Sequence, residues 1–228
     1  MRGRASLDGA TRVPFRQPMS RRCCACALSI EFALRHQFPL VNHPLARCFA
    51  RRELLADEVR YRQELALRYS YVVPESRLLG VLRRHSPLVE LGAGTGYWAY
   101  LLRLMGTDVI AYDHAPFGSG RNNRYHVDFR RWTDVIEGDT EAILRHSDRT
   151  LFLCWPPKFS ALWKSVDLYR GDCVIYIGDG GTRTPAIRAL QEGFILVETH
   201  PAIAMEPAPG TEVKLSVWRR RGHFGKAA

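Results

Sequence analysis

From residue 87 onward, short apolar runs alternate with segments of helical periodicity. The apolar runs cover 88–91, 109–112, 151–155, 174–177 and 194–197, and a weaker strand is predicted near 135–137. Helices are predicted between them over 97–105, 138–146, 158–170 and 184–192. Short, continuously apolar strands that alternate with amphipathic helices are typical of a mostly parallel sheet covered by helices on both faces.

The end of this region differs from the rest. The apolar runs 194–197 and 213–218 are joined by a proline-rich loop without a helix, so the last strand is predicted to run antiparallel. The predicted fold is therefore a three-layer α/β sandwich with a mostly parallel, seven-stranded sheet, preceded by N-terminal helices. We predict a basic N-terminal extension over 1–44, one domain with a helical lid over 45–222, and a tail over 223–228.

The net charge of +10 belongs to the two ends of the chain. Residues 1–60 carry 11 Arg and 5 acidic residues, and residues 219–228 add four cations without an acid. A basic end favours a phosphate-rich partner such as RNA, and solvated termini are the alternative. The Arg-rich, acid-poor start is also typical of an organellar transit peptide, with a loosely structured tail as its alternative.

The cysteines and the hydropathy of the chain indicate where in the cell the protein is expected. Cys23, Cys24 and Cys26 lack the second cysteine pair of a structural zinc site, and Cys154 and Cys173 lie in apolar runs typical of buried residues. No apolar run approaches the roughly 18–20 residues of a membrane-spanning helix. We therefore expect no metal and no membrane association, and an intracellular location, mitochondrial or cytoplasmic.

The most informative stretch follows the first apolar run: Val89-Glu90-Leu91-Gly92-Ala93-Gly94-Thr95-Gly96. Three alternating glycines between a strand and a helix allow a tight turn and the close approach of a ligand to the backbone. The helix that follows offers unpaired N–H groups. Asp113 ends the next strand, where a carboxylate suits the hydroxyls of a ribose.

Two cofactor classes use this layout. Nicotinamide and flavin dinucleotides prefer G-x-G-x-x-G/A, which Gly94, Gly96 and Ala99 satisfy. S-adenosylmethionine enzymes prefer an acidic residue followed by G-x-G-x-G, which Glu90 and the three glycines match in full. A charged Glu90 would repel a pyrophosphate and suit the ammonium of a methionyl group, so the sequence favours S-adenosylmethionine.

On these motifs, residues 70–220 resemble the class I S-adenosylmethionine-dependent methyltransferases, and the Gly-Ala-Gly-Thr-Gly-Tyr-Trp-Ala and Cys-Trp-Pro-Pro sequences are similar to a subgroup of them. The resemblance implies that Gly92, Gly94 and Gly96 line the cofactor, Glu90 holds its amino group and Asp113 binds its ribose. It also implies that Asp139, in a Gly-Asp pair, contacts the adenine. A helix N-cap is the alternative role for Asp139.

The same resemblance places the methyl acceptor beside Trp155, Pro156 and Pro157, where amino-methylating enzymes carry Asp/Asn-Pro-Pro-aromatic. Because an indole has no acceptor for an amino group, Trp155 would stack on a planar or cationic substrate, or else pack under the loop. The candidate general base is Asp179, with His200 and Glu198 as weaker candidates. Tyr71 is a candidate lid residue, with ordinary packing as the alternative.

Two functions follow from this pattern. The first is a methyltransferase that uses S-adenosylmethionine on an acceptor not identified by the sequence. The second is a methyltransferase-like structural or assembly subunit of an organellar or ribosomal ribonucleoprotein, which contacts RNA through its basic termini. A nicotinamide-dependent oxidoreductase is the third and most distant.

Overall fold

A single sheet of seven strands organises the part of the chain that the computed structural model describes, which is residues 63, 65–121, 125–126, 131–156, 161–179, 185–205 and 212–222. The strands are β1 (Leu88–Leu91), β2 (Val109–Asp113), β3 (Ile136–Glu137), β4 (Thr150–Cys154), β5 (Cys173–Asp179), β6 (Phe194–Pro201) and β7 (Val213–Arg220). Their order across the sheet is β3-β2-β1-β4-β5-β7-β6.

The strand directions confirm the predicted fold class. Strands β1 to β5 pair in parallel, and β7 pairs antiparallel with both β5 and β6. Strand β7 follows β6 in sequence and pairs with it in antiparallel register, and its other edge pairs with β5. As a result β7 lies between β5 and β6, and β6 becomes the edge of the sheet.

The helices are shorter than the periodicity predicts in two places. Residues 65–68 are helical, and the α-helices that follow are α1 (Ser76–Arg84), α2 (Tyr97–Leu104), α3 (Lys164–Leu168) and α4 (Pro185–Gly193). The helix predicted over 138–146 is a 3₁₀ segment, Thr140–Arg145, closed by i to i+3 bonds such as Ala142 N–H to the Asp139 carbonyl. The helix predicted over 158–170 is α3 preceded by the 3₁₀ turn Ala161–Trp163, and Tyr169 ends it in an extended conformation.

Apolar side chains cover both faces of the sheet, as a parallel sheet requires. On β4, Phe152 packs into one core, and Leu151 and Leu153 pack into the other. The first core is closed by α1 and α2 through Leu78, Leu82, Trp98 and Leu102, and the second by α3 and α4 through Val166, Ile187 and Leu190. This alternation within one strand produces the three layers.

Several predictions made for the ends of the chain lie outside the described residues. These are the extension 1–44, the tail 223–228, the helices before residue 63, and Cys23, Cys24 and Cys26. Of the C-terminal cations, Arg220 is held by the fold itself, since its guanidinium donates to the Tyr169 and Gly171 carbonyls and lies 4.6 Å from the Phe194 ring centroid. Within the described ranges, none of the helices is long and apolar enough to cross a membrane.

Candidate functional site

The glycine turn connects β1 to α2 at the carboxyl edge of the sheet. Gly92, Gly94 and Gly96 have φ angles of +76°, +56° and +76°, a left-handed backbone that costs a residue with a side chain about 1–2 kcal/mol. The amides of Gly92 and Ala93 both donate to the Tyr112 carbonyl at 2.9 Å. The turn therefore needs its glycines for backbone reasons alone, and it is attached directly to β2.

Asp113 fixes the middle of this turn. Its Oδ2 accepts from the Gly94 amide at 2.7 Å, and its Oδ1 accepts from the Ala115 amide at 2.9 Å. The side chain is buried at the end of β2. The structure thus brings Asp113 and Gly94 into direct contact across 19 residues of sequence.

Glu90 is the buried carboxyl of the site. The residue is 2% exposed, and its Oε2 has no hydrogen-bond partner among the described residues. Burial raises the pKa of Glu90 to about 8, with Arg103 and the Ala99 amide lowering it and Asp113 raising it. A carboxyl with this pKa is mostly protonated at neutral pH, so the free protein would repel a pyrophosphate less than the sequence argument assumes.

The segment before α1 packs over the glycine turn. The Thr95 hydroxyl donates to the Tyr69 carbonyl at 3.0 Å, and the Trp98 indole donates to the Ser70 hydroxyl at 2.8 Å. The thiol of Cys154, at the end of β4, lies near the same hydroxyl, and its pKa is raised chiefly by burial and then by the neighbouring Glu90. Residues 65–72, which we call the cover segment, therefore lie against the turn and the ends of β1 and β4.

His126 is a member of the site for which the sequence gives no signal, because it follows β2 in a connection without a motif. Its Nδ1 donates to the Leu67 carbonyl of the cover segment at 2.6 Å. The Tyr71 ring meets the imidazole edge-on at 5.9 Å between centroids. A Cβ placed on Gly94 would lie 2.6 Å from Cδ2 and closer still to Nε2, so the imidazole lies directly against that glycine. Burial lowers the pKa of His126.

Asp139 lies beyond the ends of β2 and β3 in an exposed polar cluster. Its Oδ1 is 2.5 Å from Nδ1 of His114, and Arg121 contacts both Asp139 and Glu137. Asp139 occupies the residue before the 3₁₀ segment, but its side chain makes no capping hydrogen bond. Asp139 therefore occupies the N-cap position that the alternative predicts, but its side chain does not cap the segment. Its contact with adenine stays a prediction.

The loop after β4 begins with a left-handed Trp155, whose φ is +50°. Its amide donates to the Ile177 carbonyl of β5 at 2.7 Å, and its half-buried side chain packs against the first core. Packing under the loop is thus observed for Trp155, while stacking on a substrate stays a prediction. Pro156 follows at the same edge of the sheet, and Pro157 lies outside the described residues.

The candidate bases lie at increasing distances from the glycine turn. Asp179 ends β5, two strands from β1, and is half-buried. Glu198 and His200 lie on the edge strand β6, where they bond to each other at 2.6 Å and Glu198 pairs with Arg84 at 2.9 Å. The structure therefore does not bring Glu198 and His200 to the turn. Among the described residues no group of His, Cys, Asp or Glu is arranged to hold a metal ion.

Comparisons with known proteins find only distant likeness. No protein-family model matches the sequence, and no curated protein matches it significantly. Among solved structures, magnesium protoporphyrin IX methyltransferase from Synechocystis PCC 6803 is 11% identical, with a TM-score of 0.44 over 79% of this chain and 93% of that one. The Pyrococcus abyssi tRNA (uracil-54, C5)-methyltransferase is 14% identical, with a TM-score of 0.42 over 62% of this chain and 37% of that one.

A Streptococcus agalactiae protein of the NADB-Rossmann superfamily is 12% identical, with a TM-score of 0.41 over 74% of this chain and 69% of that one. These TM-scores lie below 0.5, so the likeness supports no activity and no residue role.

Proposed function

We propose that this chain is a methyltransferase that uses S-adenosylmethionine. The observation that carries the proposal is Glu90, a buried carboxyl whose Oε2 is unpartnered among the described residues, two positions before a left-handed glycine turn. A buried polar atom without a partner is costly to keep, and a cationic ligand would relieve that cost. An ammonium group at Glu90 and a ribose at Asp113 fit the two carboxyl groups that the fold places at this edge.

The topology favours this ligand over a dinucleotide. Dinucleotide-binding sheets have the order 3-2-1-4-5-6, whereas here β7 is inserted antiparallel between β5 and β6. Electrostatic repulsion of a pyrophosphate contributes less, because burial raises the pKa of Glu90 to about 8 and the free carboxyl is mostly protonated at neutral pH. Topology and the full match to the acidic glycine motif therefore support S-adenosylmethionine, and a nicotinamide cofactor is the alternative ligand for the test below.

When bound, S-adenosylmethionine supplies an activated methyl group on a sulfonium, which passes to a nucleophile and leaves a thioether. The protein has to align the two reactants and exclude water, because the methyl group is already activated. The cover segment closes one side of the turn, and the β4 loop with Trp155 and Pro156 offers the acceptor side. Asp179, at the end of the neighbouring strand, is our candidate to take the proton that the acceptor loses.

The test is calorimetric titration of the purified full chain with S-adenosylmethionine, with NADH in a parallel titration. We expect micromolar binding of S-adenosylmethionine alone. Asp113→Ala should abolish that binding and leave the circular dichroism spectrum unchanged, while the exposed Asp148→Ala should bind as the parent chain does. Binding of NADH alone, or an unaltered affinity in Asp113→Ala, would contradict the assignment.

A second candidate function is a non-catalytic subunit of a ribonucleoprotein. The contact of His126 with Gly94 favours it, since a protein side chain lies where a ligand would approach the turn. The basic termini are its RNA-binding element in this proposal. Failure of the chain and of its His126 variant to bind either cofactor would favour this function over the first.

A further inference from the structure

We propose that His126 and the cofactor compete for one place beside Gly94, so that cofactor binding displaces the imidazole and releases its bond to the cover segment. This inference rests on the proposed function, because it concerns the same site. It adds an intramolecular competitor that neither the glycine motif nor the strand pattern indicates.

The steric evidence comes from the glycine itself. The space that a glycine offers a ligand is the space of its missing side chain, and at Gly94 that space is taken. A Cβ there would lie 3.3 Å from Cε1 and 2.6 Å from Cδ2 of His126, and closer still to Nε2. Non-bonded heavy atoms reach their optimal separation at about 3.5–4.0 Å, so no ligand atom fits on this side of Gly94 while the imidazole stays there.

Two residues of the cover segment contact the imidazole in this position. The Leu67 carbonyl accepts from Nδ1, the Tyr71 ring packs on its edge, and the Tyr71 hydroxyl reaches the Tyr125 carbonyl at 3.5 Å. The Asp113 carboxylate also acts on His126, since it opposes the effect of burial and favours the charged imidazole, which raises its pKa. The same Asp113 holds the Gly94 amide, so one carboxylate acts on both the histidine and the turn.

The consequence is a mechanical link between the cofactor site and the cover segment. Leu67 and Tyr71, which both contact His126, belong to that segment. Moving the imidazole off Gly94 therefore breaks a contact of the cover segment as well as freeing the glycine. Tyr71 thereby acquires a specific role, which is to keep the competitor in place.

The first test compares S-adenosylmethionine affinity in the full chain and in His126→Ala by calorimetry. We expect the variant to bind about tenfold more tightly, because binding no longer costs the hydrogen bond and packing of the imidazole. The matched control is His146→Ala, which removes a half-buried histidine bonded to the Tyr112 hydroxyl on the other face of the sheet. Its affinity should equal that of the parent chain.

The second test needs no variant. Histidine proton signals are followed by NMR against pH, with and without S-adenosylmethionine. We expect the pKa of His126, which burial lowers in the free protein, to rise when the ligand is added. A histidine that stays packed against Gly94 would keep its lowered pKa.

The outcomes separate this inference from the proposed function. Equal or weaker binding by His126→Ala, with the parent chain binding normally, would overturn the displacement and make His126 a wall of the site. Binding by His126→Ala but not by the parent chain would support it strongly. Failure of both proteins to bind would overturn the proposed function and this inference with it.

Discussion

Replacing Glu90 with glutamine tests the buried carboxyl through stability alone, without any ligand. The substitution keeps the shape of the side chain and removes its titration. In the folded protein burial raises the pKa of Glu90 from 4.5 to about 8. The folded chain therefore keeps a proton that the unfolded chain releases, and stability is lost as pH rises between these two values.

The magnitude follows from that interval. At about 1.4 kcal/mol per pH unit, the free energy of unfolding should fall by about 3 kcal/mol between pH 4.5 and pH 7 through this group. That is a large part of the roughly 5–15 kcal/mol of an ordinary domain. Glu90→Gln should remove this slope, so that the variant gains stability relative to the parent chain as pH rises.

The assay is urea denaturation of both proteins at about pH 5, about pH 7 and about pH 8.5. The amide that replaces the carboxyl would also leave a buried donor unpaired, but that cost does not vary with pH, so the slope and not the offset is diagnostic. The exposed Glu192→Gln is the matched control, and its free energy of unfolding should depend on pH as that of the parent chain does. If the free energy of unfolding of Glu90→Gln also follows the pH dependence of the parent chain, the raised pKa of Glu90 is refuted.

Two further predictions concern the same turn. Gly94→Ala should destabilise the protein by more than Gly106→Ala, because both glycines have positive φ but only Gly94 has His126 in the space of its side chain. In urea denaturation, the free energy of unfolding should fall by about 1–2 kcal/mol in Gly106→Ala and by at least about 1 kcal/mol more in Gly94→Ala. If Gly94→Ala still costs this additional amount in a chain that also carries His126→Ala, the contact between His126 and Gly94 is not its cause. At pH 7, S-adenosylmethionine should bind with release of nearly one proton from Glu90, since a cation lowers the pKa of a nearby carboxyl. Titrations in phosphate and in Tris would measure that release, and 5′-methylthioadenosine, which has no ammonium group, should release none; identical heats of S-adenosylmethionine binding in the two buffers would argue against it.

The sheet is the part of this protein that the sequence determines most completely. The parallel strands β1, β2, β4 and β5 are mainly apolar because they are mainly buried, so their positions can be predicted from the sequence alone, whereas the exposed β3 gives a weaker signal. The antiparallel β7 was predictable too, from a proline-rich connecting sequence in which no helix is predicted. The contact of Asp113 with the glycine turn follows from the same logic, because parallel neighbours end at the same edge.

The type of each helix and the residues at which it begins and ends could be determined only from the tertiary structure. The segment Thr140–Arg145 has helical periodicity, yet its backbone forms i to i+3 bonds, such as that of the Ala142 amide to the Asp139 carbonyl, and it is a 3₁₀ helix. The end of α3 depends on Tyr169, whose hydroxyl lies within hydrogen-bond distance of the Arg149 and Cys173 carbonyls. The periodicity of a sequence indicates which face of a helix is apolar. It does not indicate hydrogen bonds to residues outside the helix, such as those of Tyr169.

The contents of the site also depended on the tertiary structure. The sequence identified Glu90, Asp113 and Asp139 as candidate carboxyls of the cofactor site. Only the structure showed that burial raises the pKa of Glu90 and that Glu198 and His200 lie on a distant edge strand. His126 is held against Gly94 by the Leu67 carbonyl, 59 residues earlier in the chain, which accepts a hydrogen bond from its Nδ1. A buried strand can be recognised from a few consecutive apolar residues, whereas such a contact depends on segments far apart in the sequence that only the tertiary structure brings together.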